Sequence, residues 1–151
     1  IGMDITAEEL RIRIAAREKY FAGVRVKEYE VLDGINLRKA NLRGAYLCYV
    51  SLVNANLSNA HLRGASLDGA ILDGANLHGV QLQGACLFGA SLCNCNLIGA
   101  DLQGADLRGV DLRKSDLSYA DFRGADMDNV VFYEVILRNT IMEDGSIENS
   151  L

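Results

Sequence analysis

Residues 105–109 read Ala105-Asp106-Leu107-Arg108-Gly109, and the same unit stands at Ala40-Asn41-Leu42-Arg43-Gly44 and at Ala75-Asn76-Leu77-His78-Gly79. From Leu32 to Ile147 every fifth residue is large and apolar. It is Leu through Leu117, then Phe122, Met127, Phe132, Leu137, Met142 and Ile147. Two residues ahead of each such centre stands a small or medium group, such as Ala60, Val80 or Cys95. The residue just ahead is usually Asn or Asp, and Gly dominates two residues after.

A spacing of five fits neither regular element. In a helix it advances about 500°, so the leucines would spiral around the axis and never form a stripe. In a straight strand, side chains alternate, so leucines five apart would point to opposite faces. One arrangement keeps every Leu inside. The Ala-Asp-Leu segment runs extended with Ala and Leu inward and Asp outward, and the next two residues turn a corner, where Gly tolerates unusual φ. Corners of one hand generate a solenoid whose coils stack at about 4.8 Å. The absence of Pro fits a ladder in which most backbone N–H groups must donate.

On these units the chain resembles the pentapeptide repeat family over roughly residues 20–150. The resemblance implies an all-β solenoid, a right-handed quadrilateral β-helix with four pentapeptides to a coil. That gives about six to seven coils, and roughly 29 Å of axial length for six of them at the strand spacing. It also makes stacked neighbours twenty residues apart, so Leu37, Leu57, Leu77, Leu97 and Leu117 form one core ladder. Repeats of this density are typical of cyanobacterial proteins, which points to a bacterial source.

The ends depart from the beat. Residues 1–20 read as an N-terminal capping helix: Thr6 and Glu9 form a capping box, Ile5 staples against Leu10, and Ile12, Ile14 and Ala15 add apolar surface. A partner-binding helix is the alternative. Ile1-Gly2 ahead of Met3 reads as an expression remnant. Residues 21–151 form the β-helix, with an irregular first coil over 21–34. There Val24-Arg25-Val26 and Tyr29-Glu30-Val31 repeat one residue out of phase, so an extra residue is expected near Leu32 or Asp33. Over the atypical terminal coil, 128–151, Gly leaves the corners and Val131, Ile136 and Ile141 occupy outward positions. They form a candidate dimer or end-cap surface, and the resemblance favours a homodimer through the C-terminal coil.

Composition narrows the function. The 151 residues suggest one domain. Half of them are hydrophobic, yet mean hydropathy is only +0.08. No run approaches a membrane span, and no signal peptide stands out, so no membrane association and a cytoplasmic location are expected. Cys48, Cys86, Cys93 and Cys95 are never twenty apart and read as free thiols. His61 and His78 are isolated, and no hydroxyl has a base beside it. Neither an enzyme, nor a cofactor, nor a metal site is expected.

Three surfaces remain. The row Asn36, Asn56, Asn76, Asn96 and Asp116 reads as a side-chain ladder serving turns and neighbouring coils. Asp101, Asp106, Asp111, Asp116, Asp121 and Asp126 form a candidate acidic surface, and some relatives that the resemblance brings in mimic DNA before gyrase. No formal charge lies between Gly74 and Ala100, and with Phe88, Ile98, Tyr46 and Tyr49 outward this region is a candidate protein-contact surface. No basic patch stands out to contact phosphates, so direct nucleic-acid binding is not expected. The leading expectation is a non-enzymatic structural and interaction module presenting a rigid surface to an unidentified protein partner; the alternative is an acidic DNA mimic that binds DNA gyrase or topoisomerase.

Overall fold

The computed structural model describes residues 4–150, so the remnant reading of Ile1-Gly2 lies outside the described residues. Through most of the chain each repeat pairs, parallel, with the residue twenty positions on. Asn36 pairs with Asn56, Asn56 with Asn76, Asn76 with Asn96, and Asn96 with Asp116. Four such ladders pass through Val31, Asn36, Asn41 and Tyr46, and they define the first to fourth sides of the solenoid.

One repeat shows how the unit is held. Asn76 N–H donates to the Ala55 carbonyl on the preceding coil at 2.9 Å, and Leu77 N–H donates to the Asn96 carbonyl on the following one at 2.7 Å. At the corner, Gly79 N–H reaches the Ile98 carbonyl at 2.9 Å, and Val80 N–H closes back on the Leu77 carbonyl at 3.1 Å. Every donor of the repeat except that of His78 is thereby used between or within coils, as a buried backbone demands. Gly79 turns the corner at φ +64°, but Lys39 and Tyr49 do the same at +58° and +59°. Gly is favoured there because it lacks the Cβ penalty, but other residues are tolerated even at successive corners, as at Tyr49, Asn54 and Asn59.

Inside, Leu37, Leu57, Leu77, Leu97 and Leu117 are buried on the second side, with Ala55 and Ala75 packed in the same interior. Alternation along each extended triplet produces this: small and large groups point in, and the Asx residue between them points out.

At the N-terminal end, helix α1 spans Ala7–Ala15. Thr6 is its N-cap and its side chain accepts from Glu9 N–H at 3.2 Å. The Ala7 N–H is taken by the Glu30 carboxylate at 2.7 Å, a tie between helix and first coil. Leu10 is buried among the core residues, with Ala7 and Ile14 packed beside it. Ile12 and Ala15 do not share that face. Ile12 is 62% exposed, because positions 7, 10 and 14 line one side of a 3.6-residue helix and 12 falls opposite.

The register slip lies earlier than Leu32. Ile5 pairs with Val26, Tyr20 with Asn41 and Arg25 with Tyr46, all twenty-one apart, whereas Val31 pairs with Ser51, twenty apart. Lys27 is the extra residue, and its N–H donates to the Ile5 carbonyl at 2.9 Å. Val31 is therefore an outward, exposed residue and Leu32 the buried centre. The bulge accommodates the incoming segment before α1, which needs a partner on that edge.

The far end also corrects the sequence reading. The beat places Met142 and Ile147 in the core, but the chain reverses between them. Strand β1 (Thr140–Ile141) pairs antiparallel with β2 (Ile147–Glu148), with Ile141 opposite Ile147. Gly145 turns at φ +87°, and Ser146 N–H is held by the Asp144 carboxylate at 2.9 Å. Ile147 is consequently exposed on a hairpin. The tail then lies along the last coil, where Ser150 N–H donates to the Leu137 carbonyl at 2.8 Å.

Candidate functional site

The outward Asx residues are occupied by their own repeats. Asn76 Oδ1 accepts from His78 N–H at 3.1 Å, Asn96 from Ile98 N–H at 3.0 Å and Asp116 from Ser118 N–H at 3.0 Å. Each is an Asx-turn that supplies the one corner N–H the coil ladders leave unpaired. The row is thus a turn device within each repeat and not a ladder of amides between coils.

The acidic stretch obeys the same rule and adds a second partner. Asp106, Asp111 and Asp121 each accept the N–H two residues on and a forked pair from the arginine there. The closest distances are 2.7 Å for Arg108, 2.7 Å for Arg113 and 2.6 Å for Arg123. The arginine holds the Asp111 carboxyl down at about 2, and lowers Asp106 and Asp121 in the same direction. Asp101 instead receives Gln83 and Gln103 amides. The six aspartates also divide over four sides, with Asp101 and Asp121 on one ladder and Asp106 and Asp126 on another.

Of the proposed contact residues, Tyr46, Tyr49 and Phe88 share the fourth side and its corner, and Ile98 lies at the corner of the second. Tyr49 stacks on Tyr29 with centroids 5.7 Å apart, and its ring lies over Gly69 of the next coil. Arg108 sits over the Phe88 ring at 5.0 Å. Arg25 covers Tyr46 at 4.5 Å, and the Tyr46 hydroxyl donates to Glu28 at 2.5 Å. Tyr49 and Phe88 remain 46% and 51% exposed, so this edge carries fixed aromatic side chains in solvent.

At the terminal coil, Ile136 is 47% exposed, Val131 is half-buried, and Ile141 is half-buried beside the hairpin. More apolar surface comes from inward-type residues with no further coil to cover them: Val130, Phe132, Val135 and Leu137 are only partly buried. Val130, Val131, Phe132 and Tyr133 line a cleft of 280 Å³ there. The sequence signal that marks this reversal is Asp144-Gly145, a hairpin dipeptide.

All four cysteines are free. Cys95 points inward and donates to the Leu72 carbonyl at 3.0 Å, and burial pushes its thiol up to about 12. Among the described residues no three His, Cys, Asp or Glu side chains are placed to hold a metal ion. No helix among them is long and apolar enough to cross a membrane.

Stacking overturns the expectation that no basic patch exists. Lys19 and Lys39, and Arg43 and Arg63, are separated by twenty in sequence and come together on and beside the third side. For Arg43 and Arg63 the twenty-residue spacing is the signal that would have found them, whereas Lys19 meets Lys39 across a first coil that pairs twenty-one apart.

The family model for pentapeptide repeats matches in eight copies over residues 31–64, 51–87, 75–113 and 105–144. The chain belongs to the pentapeptide repeat family. Membership carries the fold, a right-handed quadrilateral β-helix. Among solved structures of pentapeptide repeat proteins, Rfr23 of the cyanobacterium Cyanothece 51142 is similar at 21% identity and TM-score 0.62, over 85% of this chain and 97% of that one. HetL of the cyanobacterium Nostoc sp. strain PCC 7120, a pentapeptide repeat protein involved in heterocyst differentiation regulation, is similar at 20% identity and TM-score 0.53. That likeness covers 97% of this chain and all of that one. Both likenesses speak to the fold. No curated protein sequence matches.

Proposed function

We propose that this pentapeptide repeat protein is a non-enzymatic interaction module: a rigid rod of about six to seven coils, its first coil covered by α1, that presents a surface to another protein. The observation that carries this reading is the fourth-side edge. Tyr29, Tyr49 and Phe88 project from a backbone fixed by ladders on both sides, and stacking, Gly69 and Arg108 hold their rings. Pre-ordered aromatic side chains cost little entropy on binding and are favoured anchors at interfaces. The interior is filled by Leu and Ala, which leaves the outside to do the binding.

The proposed assembly is a homodimer through the C-terminal coil, supported by the only partly buried Val130 and Phe132. The cytoplasm is the proposed location, consistent with four free thiols. The alternative, an acidic mimic of DNA directed at gyrase, has less support, because arginines neutralise three of its six aspartates and the six divide over four sides.

A photo-crosslinking side chain placed in turn at Tyr49, Phe88 and His78 tests the reading in extract of the native host. A discrete adduct is expected from the first two positions and none from His78, which lies on another corner. Equal labelling at all three, or labelling at none, would remove the contact edge. Added to a gyrase supercoiling assay at micromolar concentration, the protein should leave the reaction unchanged.

A further inference from the structure

The basic residues of the N-terminal coils stand apart from the paired arginines near the C-terminus. Lys19, Lys39 and Arg43 line a shallow cleft of 320 Å³ together with Tyr20, Asn41 and His61. Arg63 follows Arg43 on the next coil, its carbonyl accepting from Gly44 N–H at 3.0 Å. The Lys19 ammonium donates to the Arg38 carbonyl at 2.8 Å, which brings Arg38 to the same rim. All five cations are exposed, and among the described residues none of them forms an ion pair. Five unpaired cations on so few coils repel one another, an arrangement that costs stability unless an anion relieves it.

The cleft is built as well as charged. Tyr20 lines it at 70% exposure, Asn41 continues the same ladder, and the His61 ring is fixed by Gln81 at 3.0 Å. We propose that this cleft binds a short acidic peptide segment of a partner protein, carboxylates on the cations and an apolar side chain on Tyr20. This deepens the reading of the chain as a protein-binding rod and rests on it.

The extent of the charge selects that occupant. Continuing up the third side the ladder reads Gln81, Asp101 and Asp121, so the positive surface ends after Arg63. A nucleic acid lying along the rod carries charge at every step, about one per 1.7 Å in a duplex. It would run from the cations into the aspartates of a chain whose net charge is −5. A short acidic segment stays within the positive zone.

A fluorescein-labelled octa-glutamate peptide, titrated into the full chain at about 50 mM salt and again at about 300 mM, tests this by anisotropy. The expected result is saturable binding that weakens at the higher salt. Lys39→Glu/Arg43→Glu should weaken it about tenfold or more, while Lys114→Glu/Arg138→Glu, the same charge change at the far end, should alter it less than about threefold. Lys39 turns its corner at φ +58° and Glu134 does so at +59°, so glutamate is tolerated there, and matched melting curves confirm folding. Equal losses in both double variants, or no binding by the parent chain, would overturn the proposal. So would tighter binding of a labelled oligothymidylate of equal charge. The crosslinks from Tyr49 and Phe88 arise on the fourth side, so they persist if only the basic cleft fails and vanish if the protein-binding reading fails.

Discussion

The ring of Tyr49 lies across Gly69 on the next coil, in the space that a Cβ at residue 69 would need. Two independent constraints therefore meet at Gly69: a left-handed φ of +65° and a neighbour's ring. Gly64 has the first without the second, since φ is +68° and nothing lies near its missing Cβ. Gly64→Ala is expected to cost about 1–2 kcal/mol, the left-handed penalty alone. Gly69→Ala should cost roughly 1 kcal/mol more, because Tyr49 must swing away and release Tyr29. Denaturant melts of the two variants give the difference, and the near-ultraviolet dichroism of the tyrosines should change only in the second.

The Asx-turns predict an asymmetric response to substitution. Asn76→Asp keeps an oxygen for His78 N–H and should change stability by less than about 0.5 kcal/mol. Asn76→Ala removes the acceptor and should cost about 1 kcal/mol. Equal effects in the two melts would mean that the outward Asx residue serves something other than its own corner.

That contrast also shows what the sequence could disclose. The spacing of Leu77 from Leu72 and Leu82 reveals the solenoid because no helix or strand buries every fifth residue. The position of the slip is not legible in the same way: Val26 and Val31 are both apolar, and only pairing shows that Val26 is a centre and Val31 faces solvent. The same ambiguity hid the hairpin, since Ile147 keeps the beat while Gly145 has already turned the chain. Arg43 and Arg63 stand twenty residues apart in the chain, and their proximity exists only across coils. Local period survives in a sequence; registry between coils must be counted in steps of twenty, or of twenty-one across the bulged first coil.

Acid should expose the arginine-held carboxylates. Asp111 is held at about 2, chiefly by the hydrogen bond from Arg113, below its ordinary value of about 3.9. A carboxyl lowered in the folded state stabilises that state above the ordinary value and loses its contribution as pH falls through the lowered one. The loss therefore falls between about pH 4 and about pH 2. Arg113→Gln should raise the Asp111 titration midpoint, followed by carboxyl-carbon NMR, and move acid unfolding to higher pH. The stability change at neutral pH should be small, because the arginine is half exposed and solvent screens the pair.

Mid-stack leucines should be far less forgiving. Leu77 is wholly buried between coils that pair with it on both sides. Leu77→Ala should cost about 2–5 kcal/mol through lost contacts and an unfilled space. Leu77→Asp adds an unpaired buried carboxylate and should abolish the cooperative melt. An unchanged midpoint in either variant would contradict an interior built on this ladder.

The terminal coil supplies the last test. Val130, Phe132 and Leu137 belong to the core by type but have no further coil above them, and Tyr133 stands exposed at their rim. The hairpin of β1 and β2 lies beside Ile141 and the tail beside Leu137, so Val130 and Phe132 remain the open part of that apolar end. If two copies bury these ends against each other, light scattering coupled to size exclusion should report twice the chain mass. Val130→Lys and Tyr133→Glu should each return the mass of one chain. Both positions are at least partly exposed, so their melting midpoints measured below the dimer dissociation constant should match the parent. A parent chain that stays monomeric at high concentration would leave the open end to another partner and end the dimer proposal.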